Sequence, residues 1–223
     1  MLGISRLTSS NLRFERGQGN SVYHQIRVKI LEHLPTSLIQ YFEKYHRISA
    51  QAIQAISEIS TLIFIKKNKT LQPVGFTCKT IYFISKGSAR IHYYKDGVDI
   101  TEYFAFENNL VIRVESLFSH KPSRKAIEVM EDSEIIAIDA PRLFALYDVF
   151  PEIERLFRKI FEDGYVETLN RVESIQFHAA RERYLALLSQ TPNILQRVPL
   201  KYIASYLGIT QVSLSRIRAT LII

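Results

Sequence analysis

The central part of the chain changes at Thr61 from a helical to a strand pattern, and this change constrains the fold more than any other feature. From there to Asp139 the sequence consists of short runs rich in Ile, Phe, Tyr and Thr, bounded by Asn, Lys, Gly or Asp. Lys86-Gly87 marks one turn, and Asp96-Gly97 is a strong signal for a two-residue hairpin. Short strands at this even spacing predict an antiparallel sandwich or barrel.

Helical patterns flank the strands. Pro35 fits the first turn of one short helix, and Ser49 opens a second one. A long helix begins at Pro151, where apolar residues recur at every third or fourth position for about seven turns. The predicted fold class is therefore α+β.

We predict that the long helix forms the seam of a homodimer, because it lies between a β domain and a small helical domain. The alternative is that it packs on its own β barrel. Gly164 weakens the helix by about 1 kcal/mol relative to Ala unless close packing requires its small size. The residues predicted for the seam are Ile153, Leu156, Phe157, Ile160, Phe161 and Gly164.

The stretch LKYIASYLGITQVSLSRIRA, at positions 200–219, has the residues that a helix-turn-helix requires. Ala204 is small enough for two helices to cross closely, and Gly208 suits a left-handed corner that ends the first helix. Thr210 is a suitable N-cap for the second helix. The apolar residues expected to hold the two helices together are Ile203, Leu207, Ile209, Leu214 and Ile217.

The second helix of this motif is expected to face the major groove of DNA. Arg216 suits guanine, Gln211 suits adenine, and Val212 can contact a thymine methyl. The other residues predicted to contact DNA, several of them at phosphates, are Lys201, Thr210, Ser213, Ser215 and Arg218. Residues 177–223 contain six Arg or Lys against the single acid Glu182, which is the charge pattern of a nucleic-acid-binding end.

Composition excludes several other classes of protein. The 47% apolar and 23% charged content is that of a globular protein, and the net charge is +7. The single cysteine, Cys78, allows no internal disulfide, no iron–sulfur cluster and no Cys-rich zinc site, and it suits the cytoplasm. The sequence contains no apolar window of membrane-spanning length, no metal-ligand cluster, no Ser/His/Asp set and no phosphate loop, so we expect neither a membrane protein nor an enzyme.

The run PLKYIASYLGITQVSLSRIR resembles the recognition end of the Crp/Fnr superfamily of bacterial transcription regulators, and QRVPLKYIASYLGIT resembles its divergent Bacteroidetes branch. The resemblance covers about residues 34–221. It implies an antiparallel β-roll of the double-stranded β-helix or jelly-roll type with flanking helices, a long dimerisation helix and a C-terminal helix-turn-helix domain. The implied boundaries are an N-terminal extension at 1–33, a cyclic-nucleotide-binding-like sensor at 34–149, the dimer helix at 150–176 and the DNA-binding domain at 177–223.

The resemblance also locates a candidate effector pocket in IRVESLFSHKPSRKAIEV. Members that bind cyclic AMP use a Gly-Glu pair for the ribose and an Arg-Ser pair for the phosphate. Here the first pair is Val114-Glu115, and the second is reversed as Ser123-Arg124. We therefore expect an unknown small-molecule effector or none, rather than cyclic AMP. Haem bound through a lone histidine, His92 or His120, is not expected.

Two functions from different classes stay open at this point. The first is a cytoplasmic, homodimeric, sequence-specific transcription regulator that binds a near-palindromic site in double-stranded DNA, with RNA polymerase as a further candidate partner. The second is a degenerate cyclic-nucleotide-type domain that dimerises and binds another protein without recognising DNA. The charge of the C-terminal region favours the first.

Overall fold

The computed structural model of the chain describes residues 25–29 and 33–221. Most of the predicted N-terminal extension at 1–33 lies outside these residues. Its segment Gln25–Lys29 is strand β1, which pairs antiparallel with strand β2 (Ser60–Ile65). This part of the predicted extension therefore belongs to the sheet, because β1 completes the hydrogen-bonding edge of β2.

The remaining elements follow the predicted order of helices, strands and helices. The short elements Leu110–Val111, Val114–Ser119 and Ile194–Arg197 have no counterpart in the sequence prediction. In chain order, the elements after β1 are α1 (Thr36–Glu43), α2 (Ala50–Glu58), β2 (Ser60–Ile65), β3 (Thr70–Gln72), β4 (Thr80–Lys86), β5 (Ala89–Lys95), β6 (Val98–Ala105), β7 (Leu110–Val111), α3 (Val114–Ser119), β8 (Ala126–Val129), β9 (Ser133–Asp139), α4 (Ala140–Ala145), α5 (Pro151–Phe177), α6 (Ala180–Gln190), α7 (Ile194–Arg197), α8 (Leu200–Tyr206) and α9 (Gln211–Ala219).

The strands form two antiparallel sheets that pack face to face. The first sheet has the order β1-β2-β9-β4-β7, and the second has the order β3-β8-β5-β6. Ile84 and Ile135 of the first sheet meet Ile91 and Ile127 of the second in one buried cluster. This arrangement is the predicted antiparallel β-roll, and its strands alternate between two faces as the pleat requires.

The opposite face of the first sheet is covered by helices. Ile81 and Phe83 of β4 point toward them, and the same cluster contains Leu38, Phe42 and other residues of α1, α2, α4 and α5. Ser49 caps α2 as predicted, because its hydroxyl accepts a hydrogen bond from the Ala52 N–H. The first sheet is thus buried on both faces and lies between the helices and the second sheet.

The first half of α5 belongs to this same core. Ile153, Leu156 and Phe157 are fully buried, and Ile160 is 6% exposed, all of them against the roll of their own chain. The sequence prediction assigned these four residues to a seam between two copies. The structure instead buries them in the core of their own chain, which is the alternative given above. The sequence does not distinguish the two, because helical periodicity shows which face of a helix is apolar but not what covers that face. Phe161 is half-buried beside this core, and Gly164 is exposed.

The outer face of the second sheet carries the C-terminal helices. Phe104 of β6 and Met130 after β8 share a third buried cluster with residues of α6, α7, α8 and α9. The molecule is therefore a stack of four layers, in the order helices, first sheet, second sheet and helix-turn-helix domain.

Candidate nucleic-acid interface

The corner between α8 and α9 has the geometry that the sequence predicts. Gly208 has φ +68, and its N–H donates to the Ser205 carbonyl at 3.0 Å. The next N–H, that of Ile209, donates to the Ala204 carbonyl at 3.0 Å. This pair of bonds is a Schellman motif, which satisfies the last carbonyls of α8 and turns the chain into α9.

The second helix of the motif begins with the predicted cap. The Thr210 hydroxyl accepts a hydrogen bond from the Ser213 N–H at 3.1 Å, and the two hydroxyls lie 2.9 Å apart. Leu214 is buried and holds α9 against α8. The cap therefore fixes the first turn of α9, the turn that enters a groove first when a helix of this kind binds DNA.

Most of the predicted DNA-contacting residues are exposed. Val212 is 60% exposed, which is high for an apolar side chain. Ser213 and Arg218 are half-buried, the former through its bonds to Thr210. The remaining predicted residues are all exposed: Lys201, Thr210, Gln211, Ser215 and Arg216.

Two of the six basic residues in the C-terminal region are used inside the protein. Arg183 donates to the Leu207 carbonyl at 2.8 Å and to the His178 carbonyl at 2.5 Å, so it ties α6 to the end of α8. Arg197 pairs with carboxylates of the β-roll. The sequence count of basic residues therefore overstates the charge that this end offers to a partner.

Helix α8 lies against β6, at the edge of the second sheet. The Thr101 N–H donates to the Ser205 hydroxyl at 2.8 Å, and that hydroxyl donates to the Asp99 carbonyl at 3.0 Å. One serine therefore satisfies a donor and an acceptor of an edge strand, groups that would otherwise require water.

Beneath α8 the β-roll contains a buried cation. Arg90 is 2% exposed and makes two 2.8 Å bonds to Asp99 and a 2.9 Å bond to Glu128. The Tyr202 ring of α8 covers it, with 3.7 Å between the guanidinium carbon and the ring centroid. Burial by itself would raise the pKa of the Asp99 carboxyl, but hydrogen bonds from Arg90 and its charge lower that pKa below its ordinary value.

A second contact between the domains joins Arg197, at the end of α7, to three turns of the β-roll. Its guanidinium donates to both oxygens of Glu107 at 2.8 Å, to Glu131 at 2.5 Å and to the Gly87 carbonyl at 3.1 Å. Burial would raise the pKa of Glu107, but the hydrogen bonds from Arg197 outweigh it and lower that pKa. This fork-like pairing is the strong form of an ion pair.

Sequence reasoning missed both contacts between the domains. In the sequence, polar residues at alternate strand positions, such as Arg90, Asp99 and Glu128, predict a strand face that is open to solvent. Arg197 is counted there only as one more basic residue. The alternation signals which side of the strand they occupy, but no local signal shows that a helix about 100 residues later covers that side.

The predicted effector residues are divided between the surface and the interior. Val114 is 44% exposed, and Arg124 is exposed. Ser123 is 1% exposed, and Glu115 accepts a 3.1 Å hydrogen bond from Arg113. The structure thus brings Ser123 and Glu115 together around Arg113, a buried residue that the sequence prediction did not name.

The second half of α5 presents apolar side chains to solvent. Five of them are between 46% and 65% exposed, although residues of these types are usually buried. We call them the apolar stripe: Tyr165, Val166, Leu169, Val172 and Ile175. A contiguous exposed stripe on a long helix is typical of an interaction surface.

The described residues limit other kinds of site. Within 25–29 and 33–221, no group of three or more His, Cys, Asp or Glu side chains could hold a metal ion. His92, considered above for haem, is largely buried beside Asp99, and burial together with the charge of Arg90 lowers its pKa. No helix in the described part of the chain is long and apolar enough to span a membrane.

The solved structures that this chain resembles include regulators of the Crp/Fnr type. The c-di-GMP-responsive global regulator CLP of Xanthomonas campestris superposes with a TM-score of 0.63 at 15% identity, covering 78% of this chain and 91% of CLP. FixK2 of Bradyrhizobium japonicum gives 0.62 at 17% identity, covering 73% and 84%. A CooA variant from Carboxydothermus hydrogenoformans gives 0.59 at 17% identity, covering 86% of each chain.

These likenesses establish the fold of the chain. It is the Crp/Fnr-type fold, a β-roll of the type found in cyclic-nucleotide-binding domains followed by a long helix and a C-terminal helical domain. No protein-family model matches the sequence, and no curated protein matches it.

Proposed function

We propose that this protein is a sequence-specific, DNA-binding transcription regulator that acts as a homodimer. The observation that carries the proposal is the open side of α9, where Gln211, Val212, Ser215 and Arg216 are exposed on a helix fixed by a cap and a Schellman corner. Hydrogen-bonding and apolar side chains of these types can recognise base edges in the major groove. Lys201 and Thr210 are exposed beside them and suit phosphates, which position the helix.

The proposed dimer forms through the apolar stripe of α5. In two copies that pair along this stripe, the recognition helices would enter successive major grooves about 34 Å apart, on one face of a near-palindromic site. The chain would act in the cytoplasm, and RNA polymerase is a further proposed partner. Because Tyr202 and Ser205 hold α8 to the β-roll and Arg197 holds α7 to it, a change in the roll can move α9 with these helices.

The test is an unbiased selection of DNA. Purified protein is incubated at near-physiological salt with sheared DNA from its own genome, and the bound fragments are recovered and sequenced. The expected result is an inverted repeat whose half-site centres lie about ten base pairs apart. Equal recovery of all fragments would contradict sequence-specific binding.

A salt titration separates this function from the protein-binding alternative. Binding that neutralises several phosphates weakens by orders of magnitude between low and physiological salt, because counterions are released from DNA. A packed protein interface depends much less on salt. We therefore expect the amount of selected DNA that the protein retains to fall steeply as salt rises. The protein should still prefer the selected sequence to other DNA at each salt concentration.

A further inference from the structure

His92 lies beside Arg90 in the polar cluster beneath α8. Its side chain is 12% exposed, and its two ring nitrogens face the two carboxylates that hold Arg90. Nδ1 lies 3.4 Å from Oδ1 of Asp99, and Nε2 lies 3.8 Å from Oε2 of Glu128. Nδ1 is buried and makes no hydrogen bond to any residue in the described part of the chain. The imidazole is therefore enclosed between two carboxylates without being firmly bonded to either.

The carboxylate oxygens that His92 faces are already bonded to Arg90. Oδ1 of Asp99 accepts a 2.8 Å bond from the guanidinium, and Oε2 of Glu128 accepts one at 2.9 Å. A neutral imidazole carries one N–H, whereas a protonated imidazole carries two and is a cation. Protonated His92 would therefore compete with Arg90 for the same two oxygens.

Asp99 connects this cluster to α8 in two ways. Its side chain orients Arg90, whose guanidinium carbon lies 3.7 Å from the centre of the Tyr202 ring. Its carbonyl accepts a 3.0 Å bond from the Ser205 hydroxyl, which in turn accepts from the Thr101 N–H at 2.8 Å. A rearrangement of Asp99 therefore disturbs the contacts of both Tyr202 and Ser205 with the β-roll.

The groups that act on His92 come from each element packed around it. They are Arg90 and the Tyr94 ring of β5, Asp99 of β6, Glu128 of β8 and, through its charge on Asp99, Lys201 of α8. Burial lowers the pKa of His92 and the charge of Arg90 lowers it further, while the two carboxylates raise it without compensating. His92 is therefore mainly neutral at pH 7 while α8 covers the cluster.

We propose that protonation of His92 loosens α8 from the β-roll and so makes the attachment of the helix-turn-helix domain dependent on pH. When α8 opens, water reaches the cluster and the pKa of His92 returns toward its ordinary value of 6.5. Opening therefore takes up a proton. The attachment is fully stable above that value and weakens as the pH falls from 6.5 through the lower pKa of the closed form. This proposal does not depend on DNA binding, so the two can fail separately.

The test is hydrogen exchange of full-length unchanged protein between about pH 7.5 and about pH 5.5, corrected for the intrinsic effect of pH on exchange. The opening equilibrium of α8 is expected to rise by up to about tenfold per pH unit below 6.5. At each pH, α8 should also open more often than β4, which shows that it loosens while the roll stays folded. Asp99 and Glu107 stay ionised in this range because the pKa of each is lowered.

Three variants complete the test. His92→Gln keeps a polar side chain but takes up no proton, so the opening of α8 should change less than about twofold over the same range. His92→Leu removes both ring nitrogens and should show the same loss of response. His178→Gln is the control, because His178 is an exposed histidine at the end of α5, and it should keep the full response.

Three outcomes would overturn the proposal. The first is that α8 of unchanged protein opens equally at both ends of the pH range. The second is that α8 opens only together with β4, since the helix then does not loosen on its own. The third is that both His92 variants keep the pH response.

Discussion

The Tyr202 ring of α8 lies 3.7 Å from the guanidinium carbon of Arg90 and covers this buried cation of the β-roll. A cation–π contact of this kind contributes about 2 kcal/mol when it is shielded from water. Two carboxylates of the roll, those of Asp99 and Glu128, pair with Arg90. The β-roll and the helix-turn-helix domain are therefore joined by a polar contact around a buried guanidinium.

Replacing Tyr202 by Ala is expected to lower the free energy of unfolding by about 2–4 kcal/mol, because the ring contacts are lost and Arg90 becomes exposed to solvent. Tyr202→Phe keeps the ring and is the matched control, with an expected change below about 1 kcal/mol. Urea unfolding measures both values. Hydrogen exchange should show faster exchange in α8 of Tyr202→Ala, and equal stability of the two variants would contradict the role of the ring.

The Arg197–Glu107 pair predicts a loss of stability in acid. The pKa of Glu107 is lowered in the folded protein, so the contribution of this pair to stability is fully present above the ordinary glutamate pKa of 4.5. That contribution is lost as the pH falls from there through the lower folded pKa. Urea unfolding between pH 7 and acid should therefore show a steeper decline for unchanged protein than for Glu107→Gln. Parallel pH profiles for the two proteins would contradict this.

Two glycines with positive φ should differ in their tolerance of Ala. At Gly208 (φ +68) an added Cβ meets nothing within 4 Å, so Gly208→Ala is expected to cost only the backbone strain of about 1–2 kcal/mol. At Gly87 (φ +97) the Cβ would lie 2.2 Å from the Ser133 hydroxyl oxygen and 2.9 Å from its Cα. Gly87→Ala should therefore be clearly the more destabilised in urea unfolding, and similar losses would contradict the steric argument.

The sequence predicts best those parts of the fold whose signals are local. Gly208 and Thr210 specify the corner and the cap of the helix-turn-helix by themselves, and Asp96-Gly97 specifies the hairpin between β5 and β6. Helix α3 was not predicted, because a six-residue helix that ends at His120 in a left-handed conformation contains too few turns to show a period.

Contacts between distant parts of the chain leave no such signal. The apolar period of α5 is continuous, yet Leu156 is buried in its own core while Leu169 is 48% exposed. The position along α5 at which its apolar face stops being buried depends on how far the folded β-roll extends. Arg113 was missed for the same reason, since its burial depends on residues from β6, α3 and the segment before β8.

The apolar stripe predicts that Leu169→Glu disrupts the proposed dimer. A carboxylate in the centre of a paired apolar surface would be buried without a partner, which is costly. Sedimentation should therefore show a shift toward the monomer mass. Leu185→Glu is the control, because Leu185 is also exposed, at 42%, but lies on α6. If Leu169→Glu keeps the mass of unchanged protein, the dimer does not form through this stripe.

Arg216 provides the sharpest test of base recognition by α9. Arg216→Ala is expected to cost about 1–3 kcal/mol of binding to the preferred site and to relax the base preference at one position. Arg216→Lys keeps the charge but loses the planar fork that makes two bonds to guanine. If Arg216 contacts a base, the Lys variant should therefore keep the salt dependence of binding and still lose the base preference.

The control for this comparison is Arg158→Ala, because Arg158 is an exposed arginine of α5 that pairs with Glu154 and Glu162 instead. Its affinity and base preference should equal those of unchanged protein. Competition binding with a set of sites that differ at single positions measures both quantities. If Arg216→Lys retains the full base preference, Arg216 contacts phosphate, and the specificity of α9 must come from Gln211, Val212 and Ser215.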